Sequence, residues 1–261
     1  MHAALYVSKT GLSAQDKQLT TLANNLANVS TVGFKRDRAV FEDLLYQVQR
    51  QPGADSTADT RLPTGLQLGT GVRIVSTQKQ FTEGSLQVTD QTLDVAVDGR
   101  GFFQILQPSG DIAYTRDGQF HLNNEGQLVN ASGLLLEPNI TVPEGANQVT
   151  IGTDGVVSAT LQGDPIPQNI GNIELVDFIN PAGLQAIGGN LFLQTGSSGD
   201  PINGTPGLEG MGQVKQGMLE NSNVDIVQEM VNMITTQRAY EMNSKVISTA
   251  DQMLQFITQN V

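Results

Sequence analysis

Two stretches of the chain repeat their apolar positions every seven residues. Leu5, Leu12, Leu19 and Leu26 form one line near the start, with Leu22 in the neighbouring half-turn position and Ser8 and Gln15 making that second line partly polar. Ile226, Met233, Tyr240, Ile247 and Leu254 form another near the end, and Met230, Val246, Ala250 and Met253 widen it. A period of 3.5 residues is that of a helix with a narrow apolar stripe. The spacing therefore predicts helices over 3–28 and 224–258, roughly 40 Å and 50 Å long at 1.5 Å per residue. Gly11 weakens the first by about 1 kcal/mol relative to Ala, and Asp225 and Glu229 suit the positive end of the second. Neither helix can bury its stripe alone, so each needs the other and further copies.

Between them the pattern changes to short apolar alternations at 93–106, 112–122, 123–138 and 149–163, followed by an apolar run at 173–179. Asp98-Gly99, Asp117-Gly118, Glu125-Gly126 and Asp154-Gly155 punctuate these as hairpin turns, because Gly takes the positive φ such turns demand. Residues 47–70 are polar and rich in Gly, Pro and Thr, and read as an extended loop. The fold class expected is α+β: long N- and C-terminal helices pairing as a coiled-coil-like bundle, with a central, mostly antiparallel β domain. The corresponding domains are 1–45 with 212–261, a loop insertion at 46–70, and a β domain at 71–211.

Composition sharpens this division. Of 28 Gly and 10 Pro, only Gly11, Gly33, Gly212 and Gly217 fall outside 51–210, which leaves both ends free of the strongest helix breakers. The net charge of −12 also sits in the middle, where 5 basic residues face 17 acidic ones and no Lys occurs between Lys79 and Lys215. An acidic chain lacks the basic surface that displaces counterions from phosphates, so nucleic acid is excluded as a partner. With no Cys and only His2 and His121, there is no thiol nucleophile, no disulfide framework and little to hold zinc. No metal site, cofactor or catalytic residue is expected. No apolar run reaches the roughly 18 residues of a membrane span, and the N-terminus shows no basic patch leading into an apolar stretch, so no cleavable secretory signal is expected.

Carboxylates are numerous enough for an acid–base reading. Glu42-Asp43, Asp94/Asp98 and Asp111/Asp117 could sit at glycosidase-like separations. Yet Asp98 and Asp117 belong to Asp-Gly turns, where bonding to the local backbone accounts for them. Gly99-Arg100-Gly101 is a weak phosphate-loop pattern, since strands flank it on both sides.

The segment 23–45 (ANNLANVSTVGFKRDRAVFEDLL) resembles the N-terminal signature of the bacterial flagellar rod and hook axial protein family. Residues 216–255 are similar to that family's C-terminal signature, and 94–103, 114–120 and 124–133 to its central β domain. Its signature positions here are Asn24, Asn25, Asn28, Gly33, Phe34 and Lys35, then Asn221, Asn223, Gln237, Arg238 and Tyr240. Length and the segment 40–73 resemble the distal-rod branch, whose insertion corresponds here to Tyr46, Gln51, Pro52, Gly53, Leu62, Pro63 and Gly65.

The resemblance implies a structural subunit that polymerises into a hollow distal rod and transmits torque to the hook. Terminal helices would line an inner tube with the β domain outside, and export would proceed through the flagellar apparatus. It also implies proximal-rod, hook and bushing-ring proteins as neighbours, a place in the basal body spanning the periplasm toward the outer membrane, and no insertion into a membrane. A proximal-rod or hook subunit is the nearest alternative, and a peptidoglycan hydrolase the distant one. The assembly interface expected from the heptads comprises Leu5, Leu12, Leu19, Leu22, Leu26, Ile226, Met230, Met233, Tyr240, Ile247 and Leu254. Lys35, Arg36 and Arg38, a compact basic cluster, are expected on a solvated face or against a neighbour's carboxylate.

Overall fold

The computed structural model describes residues 3–53, 55–57, 60–61, 63–161 and 166–259. Helix α1 spans Ala3–Ala27 and helix α2 spans Ile226–Gln259, within two residues of the lengths the heptads predict. Asp225 caps α2: its Oδ1 accepts from the N–H groups of Val227 (2.9 Å) and Gln228 (3.2 Å). That satisfies two of the four donors a helix start leaves open.

The described residues group into two units. One contains 1–27, 37–78 and 225–261, and the other contains 28–36 and 79–224. In the first, α1 and α2 run antiparallel, as shown by contacts of Asn25 with Glu229 and of Gln15 with Asn243. Strand Asp37–Asp43 pairs with Val72–Lys79, of which all but Lys79 belongs to this unit.

The stretch expected as a loop instead carries paired strands. Tyr46–Arg50 lies antiparallel to Leu66–Gly69, with Tyr46 opposite Gly69, and Asp55–Thr57 lies against Thr60–Arg61. Tyr46–Arg50 and Leu66–Gly69 are exposed along their whole length. Tyr46 and Val48, then Leu66 and Leu68, alternate with Gln as in a strand, but none of these positions is buried and the Gly-, Pro- and Thr-rich surroundings obscure so short a pattern.

The second unit is built on a seven-stranded antiparallel sheet in the order Phe120–Leu122, Leu128–Asn130, Leu135–Glu137, Phe103–Leu106, Ile112–Thr115, Leu191–Leu193, Gln185–Gly188. Neighbouring residues divide between two cores. Phe103, Ala113, Leu175 and Leu191 enter one, and Phe102, Tyr114, Val176 and Phe192 the other. Successive side chains along an extended segment point to opposite faces, so an apolar pair such as Phe102-Phe103 fills both. In the second core Phe81, Phe102, Phe178, Phe192 and Tyr114 meet edge to face, the closest pair being Tyr114–Phe178 at 4.8 Å between centroids. Such pairs add about 0.5–1.5 kcal/mol each beyond area burial.

Two of the four expected hairpin turns join paired strands. Gly126 (φ 75°) connects Phe120–Leu122 to Leu128–Asn130, and Gly155 (φ 83°) connects Ala146–Ile151 to Val156–Leu161. Asp98-Gly99 and Asp117-Gly118 do not: Val95–Asp98 pairs instead with the distant Gln213–Gln216, and Ile112–Thr115 with its other neighbours. Gly118 serves close approach, since a Cβ there would collide with the Val95 carbonyl. A turn dipeptide fixes the local bend but not the partner strand, which long-range packing chooses.

Candidate assembly interface

The seam between α1 and α2 is more polar than the heptads suggest. On α2 the buried positions are Glu229 and Thr236, with Asn232, Met233, Ala239, Asn243, Ile247 and Ala250 half-buried. On α1, Ser8, Ala14, Thr21, Leu22 and Asn25 are buried, whereas Leu5, Leu12, Leu19 and Leu26 are half-buried. Thr21 Oγ1 donates to the Lys17 carbonyl (3.0 Å) and Thr236 Oγ1 to that of Asn232 (2.7 Å), so these hydroxyls are satisfied by their own helices. Asn243 Nδ2 donates to Gln15 Oε1 at 3.1 Å, and a Cβ at Gly11 would stand 3.2 Å from that same nitrogen. The helix-weakening glycine thus makes room for a polar contact.

Of the expected interface residues on α2, Ile226, Met230 and Tyr240 are exposed, Met233 and Ile247 are half-buried, and the side chain of Leu254 lies outside the described set. Ile226, Met230 and Tyr240 therefore do not line the α1–α2 seam. Several stripes on a helix share one period, and a heptad count cannot say which of them turns inward.

Asn25 is fully buried and ties three segments of the first unit together. Its Nδ2 donates to the Asp37 carbonyl (2.8 Å) and to Glu229 Oε2 (3.2 Å), and its Oδ1 accepts from the Asp37 N–H (2.9 Å). A carboxamide is the side chain that can donate and accept at once, as pairing with a single peptide requires. Asn24 is exposed, and Asn28 Oδ1 accepts from Thr31 Oγ1 at 3.2 Å.

In the second unit, Lys35 and Gly33 of the signature meet at Glu220. Lys35, expected on the surface, is 1% exposed; its ammonium donates to Glu220 Oε1 (2.6 Å) and to the Thr82 carbonyl (2.7 Å). Glu220 Oε1 also accepts from the Gly84 N–H (2.9 Å), and Arg116 Nη1 stands 3.5 Å from Oε2. Burial pushes the Lys35 ammonium below its ordinary value, with Glu220 opposing that shift, and it lowers buried Arg116 likewise. Gly33, at φ 68°, donates its N–H to the Glu220 carbonyl (2.8 Å), and a Cβ there would lie 2.7 Å from the Arg116 backbone. Phe34 is buried beneath Lys79, whose ammonium sits 5.1 Å above the ring.

Asn223 Nδ2 donates to the carbonyls of Gln80 and Thr82 and to Thr82 Oγ1, and its Oδ1 accepts from the Arg36 N–H. Asn221 donates its N–H to the Ser85 carbonyl. Gln237 and Arg238 are exposed on α2. Sequence reasoning missed Glu220 and Arg116, because nothing in either local pattern announces a distant partner: Glu220 lies 185 residues from Lys35.

In the arm, Tyr46, Gln51, Pro52, Gly53 and Pro63 are exposed, and Leu62 lies outside the described residues. Gly53 (φ 79°) turns the chain, and a Cβ at Gly65 would sit 2.5 Å from the Arg50 carbonyl oxygen. Arg38 Nη2 donates to Gln78 Oε1, and the exposed Arg73–Glu42 pair, at 2.9 Å, contributes at most about 1 kcal/mol.

The carboxylates have structural occupations. Asp98 pairs with Lys215 (2.6 Å), Asp94 Oδ2 accepts from Thr89 Oγ1 (2.6 Å), and Asp111 accepts from Ser109. Arg100 of the Gly99-Arg100-Gly101 pattern pairs with Asp177 at 2.7 Å. Among the described residues no group of three or more His, Asp or Glu is placed to hold a metal ion.

Asp117 Oδ1 accepts from the Gln119 N–H (3.1 Å), and burial pushes its carboxyl above the usual range. A raised folded-state value favours folding while the acid form is bound, and that contribution is lost as pH rises through it. Asp117→Asn keeps the turn acceptor without the charge. It is expected to be more stable than wild type at pH 8, the difference shrinking as pH falls toward 4 and wild-type Asp117 takes up its proton. Urea midpoints at pH 4 and pH 8 check this; equal gaps at the two would refute it.

Three family descriptions match the chain: a flagella basal body rod protein at residues 5–35, a flagellar hook protein FlgE/F/G D1 domain at 96–159, and a flagellar basal body rod FlgEFG protein C-terminal region at 215–260. Relatives named flagellar basal-body rod protein FlgG match over nearly the whole length. Those of Buchnera aphidicola from Schizaphis graminum and from Acyrthosiphon pisum are 55% and 53% identical, each alignment covering 99% of this chain and 100% of the relative. That of Caulobacter vibrioides is 48% identical, covering 98% of each.

Proposed function

The chain belongs to the flagellar hook and basal-body rod protein family, and from that premise we propose that it is a subunit of the distal rod, polymerising with its own kind into a hollow shaft that carries torque to the hook. Membership makes it a structural protein of the flagellar basal body rather than an enzyme. The observation that best supports polymerisation is the division of α2: polar and small residues meet α1, while Val227, Met230, Val231, Ile234 and Met242 stay exposed. A lone chain leaves this surface in water, and only packing against other molecules would remove it.

In this reading the terminal helices form the discontinuous assembly domain and pair there as a coiled coil extended by neighbouring copies. The arm at 46–70 braces adjacent subunits and keeps the shaft straight, which distinguishes a distal-rod subunit from a proximal-rod or hook one. Proximal-rod and hook proteins adjoin the ends, and bushing rings surround the shaft. The acidic exterior suits such a place. All four basic residues of 79–224 are engaged within the chain, Lys79 over Phe34, Arg116 and Lys215 with Glu220 and Asp98, and Arg100 with Asp177.

Electron microscopy of the full chain under concentrating conditions tests the reading. Straight tubes are expected, with α1 and α2 cleaved by protease in the dilute chain and protected in the tubes. Deleting the arm should leave tubes that bend. A chain that stays single at high concentration, or termini equally protected in both states, would overturn the proposal.

A further inference from the structure

We propose that the apolar stripe of α2 seats in a groove of a second copy of this chain, formed where the start of α1 meets the base of the arm; the inference rests on the shaft reading above and names its contact. The groove encloses about 660 Å³ and lies wholly within the first unit. Tyr6, Val7, Leu45, Tyr46 and Leu68 supply its apolar lining, with Leu45 at 89% and Tyr46 at 53% exposure. No lining residue is charged, so seating an apolar group there desolvates no ion.

The stripe has matching chemistry. Val227, Val231, Ile234, Met242, Val246 and Met253 lie at helical spacing and are all exposed, the line being interrupted by Arg238 and Thr249. Its six side chains, between 48% and 71% exposed, leave on the order of 600 Å² to water, the upper end of the roughly 300–600 Å² of the largest patch on an ordinary monomer. That approaches but stays below the roughly 800 Å² per partner of a stable pairwise interface, as suits a contact repeated along an array rather than one that holds two molecules by itself.

Geometry decides among occupants. Past Tyr6, which lines the groove, the outward face of α1 carries Lys9, Ser13, Asp16, Lys17 and Thr20, all exposed, and offers the rest of the stripe no apolar complement. Stripe against stripe would be a self-complementary contact that closes on two molecules. Stripe into groove joins two different surfaces, so it repeats from copy to copy and generates an open helical array.

The test places a benzophenone photocrosslinking amino acid at Leu45, and separately at Leu68, in isotope-labelled full-length chain mixed with unlabelled chain. Tube formation is followed by electron microscopy and the linked peptides by mass spectrometry. Links from labelled groove to unlabelled α2 are expected, about tenfold or more enriched in tubes over the dilute chain. Tubes whose links fall in α1 or in 79–224, or only within one copy, overturn this inference and leave the shaft reading standing. Failure of the unmodified chain to form tubes overturns both. Two groove positions guard against one probe blocking assembly.

Discussion

Replacing Glu220 by Gln is expected to cost about 3–5 kcal/mol, the largest effect of any single substitution in the β unit. Glu220 is one carboxylate serving two buried cations, Lys35 at 2.6 Å and Arg116 at 3.5 Å, and its own exposure is 1%. Removing its charge leaves both cations without their nearest anion in a low-dielectric interior, where only the more distant Glu83, and Asp177 for Arg116, still offset their desolvation. Lys35→Met is expected to cost less, about 1–2 kcal/mol. It deletes one of the two positive charges, Glu220 keeps Arg116, and the Thr82 carbonyl loses a donor. The double variant should recover part of the Glu220→Gln loss, giving a coupling of about 0.5–3 kcal/mol between contacting residues. Urea unfolding of the three variants measures this. A Lys35→Met cost equal to or above that of Glu220→Gln would rule out the shared-carboxylate account.

The second large effect lies in the helical unit. Asn25→Ala removes three hydrogen bonds, leaving the Asp37 N–H and carbonyl and the Glu229 carboxylate short of partners. Groups stranded in this way cost about 1–3 kcal/mol each, partly relieved where water can enter, so a total of about 2–4 kcal/mol is expected. Asn25→Asp should be at least as damaging: it keeps an acceptor for the Asp37 N–H but loses the donor and sets a second carboxylate against Glu229. Because Asn25 joins the end of α1 to the start of α2, the loss should appear first in the helical circular-dichroism signal and in protease cleavage of the termini. A melt in which the helical and β signals shift together by the same amount would contradict that local assignment.

Particular residues show how far the sequence carried. The Leu5–Leu26 and Ile226–Leu254 periods located both helices, because a helix needs only its own residues to declare a period. The runs at 93–106 and 112–122 located strands for the same reason. The exposed side of α2 was a different matter, since Ile226, Met230 and Tyr240 share a period with the residues that face α1. The arm strands Tyr46–Arg50 and Leu66–Gly69 read as loop because their short alternation, Tyr46 and Val48, then Leu66 and Leu68, lies inside a Gly-, Pro- and Thr-rich stretch. Lys35 read as a surface cation because a buried lysine is rare without a partner, and its partner lay near the other end of the chain.

What the sequence settled by itself was therefore the place of both helices and of the strands between 93 and 163, the acidic middle, and the likeness to rod and hook proteins. These depend on neighbours along the chain and on composition. The tertiary structure alone decided which stripe of α2 faces inward, which strand Val95–Asp98 joins, and that Asn25 and Glu220 are the buried polar ties of their units. Each of those is a choice among contacts distant in sequence, made by what the rest of the fold leaves to be buried or satisfied.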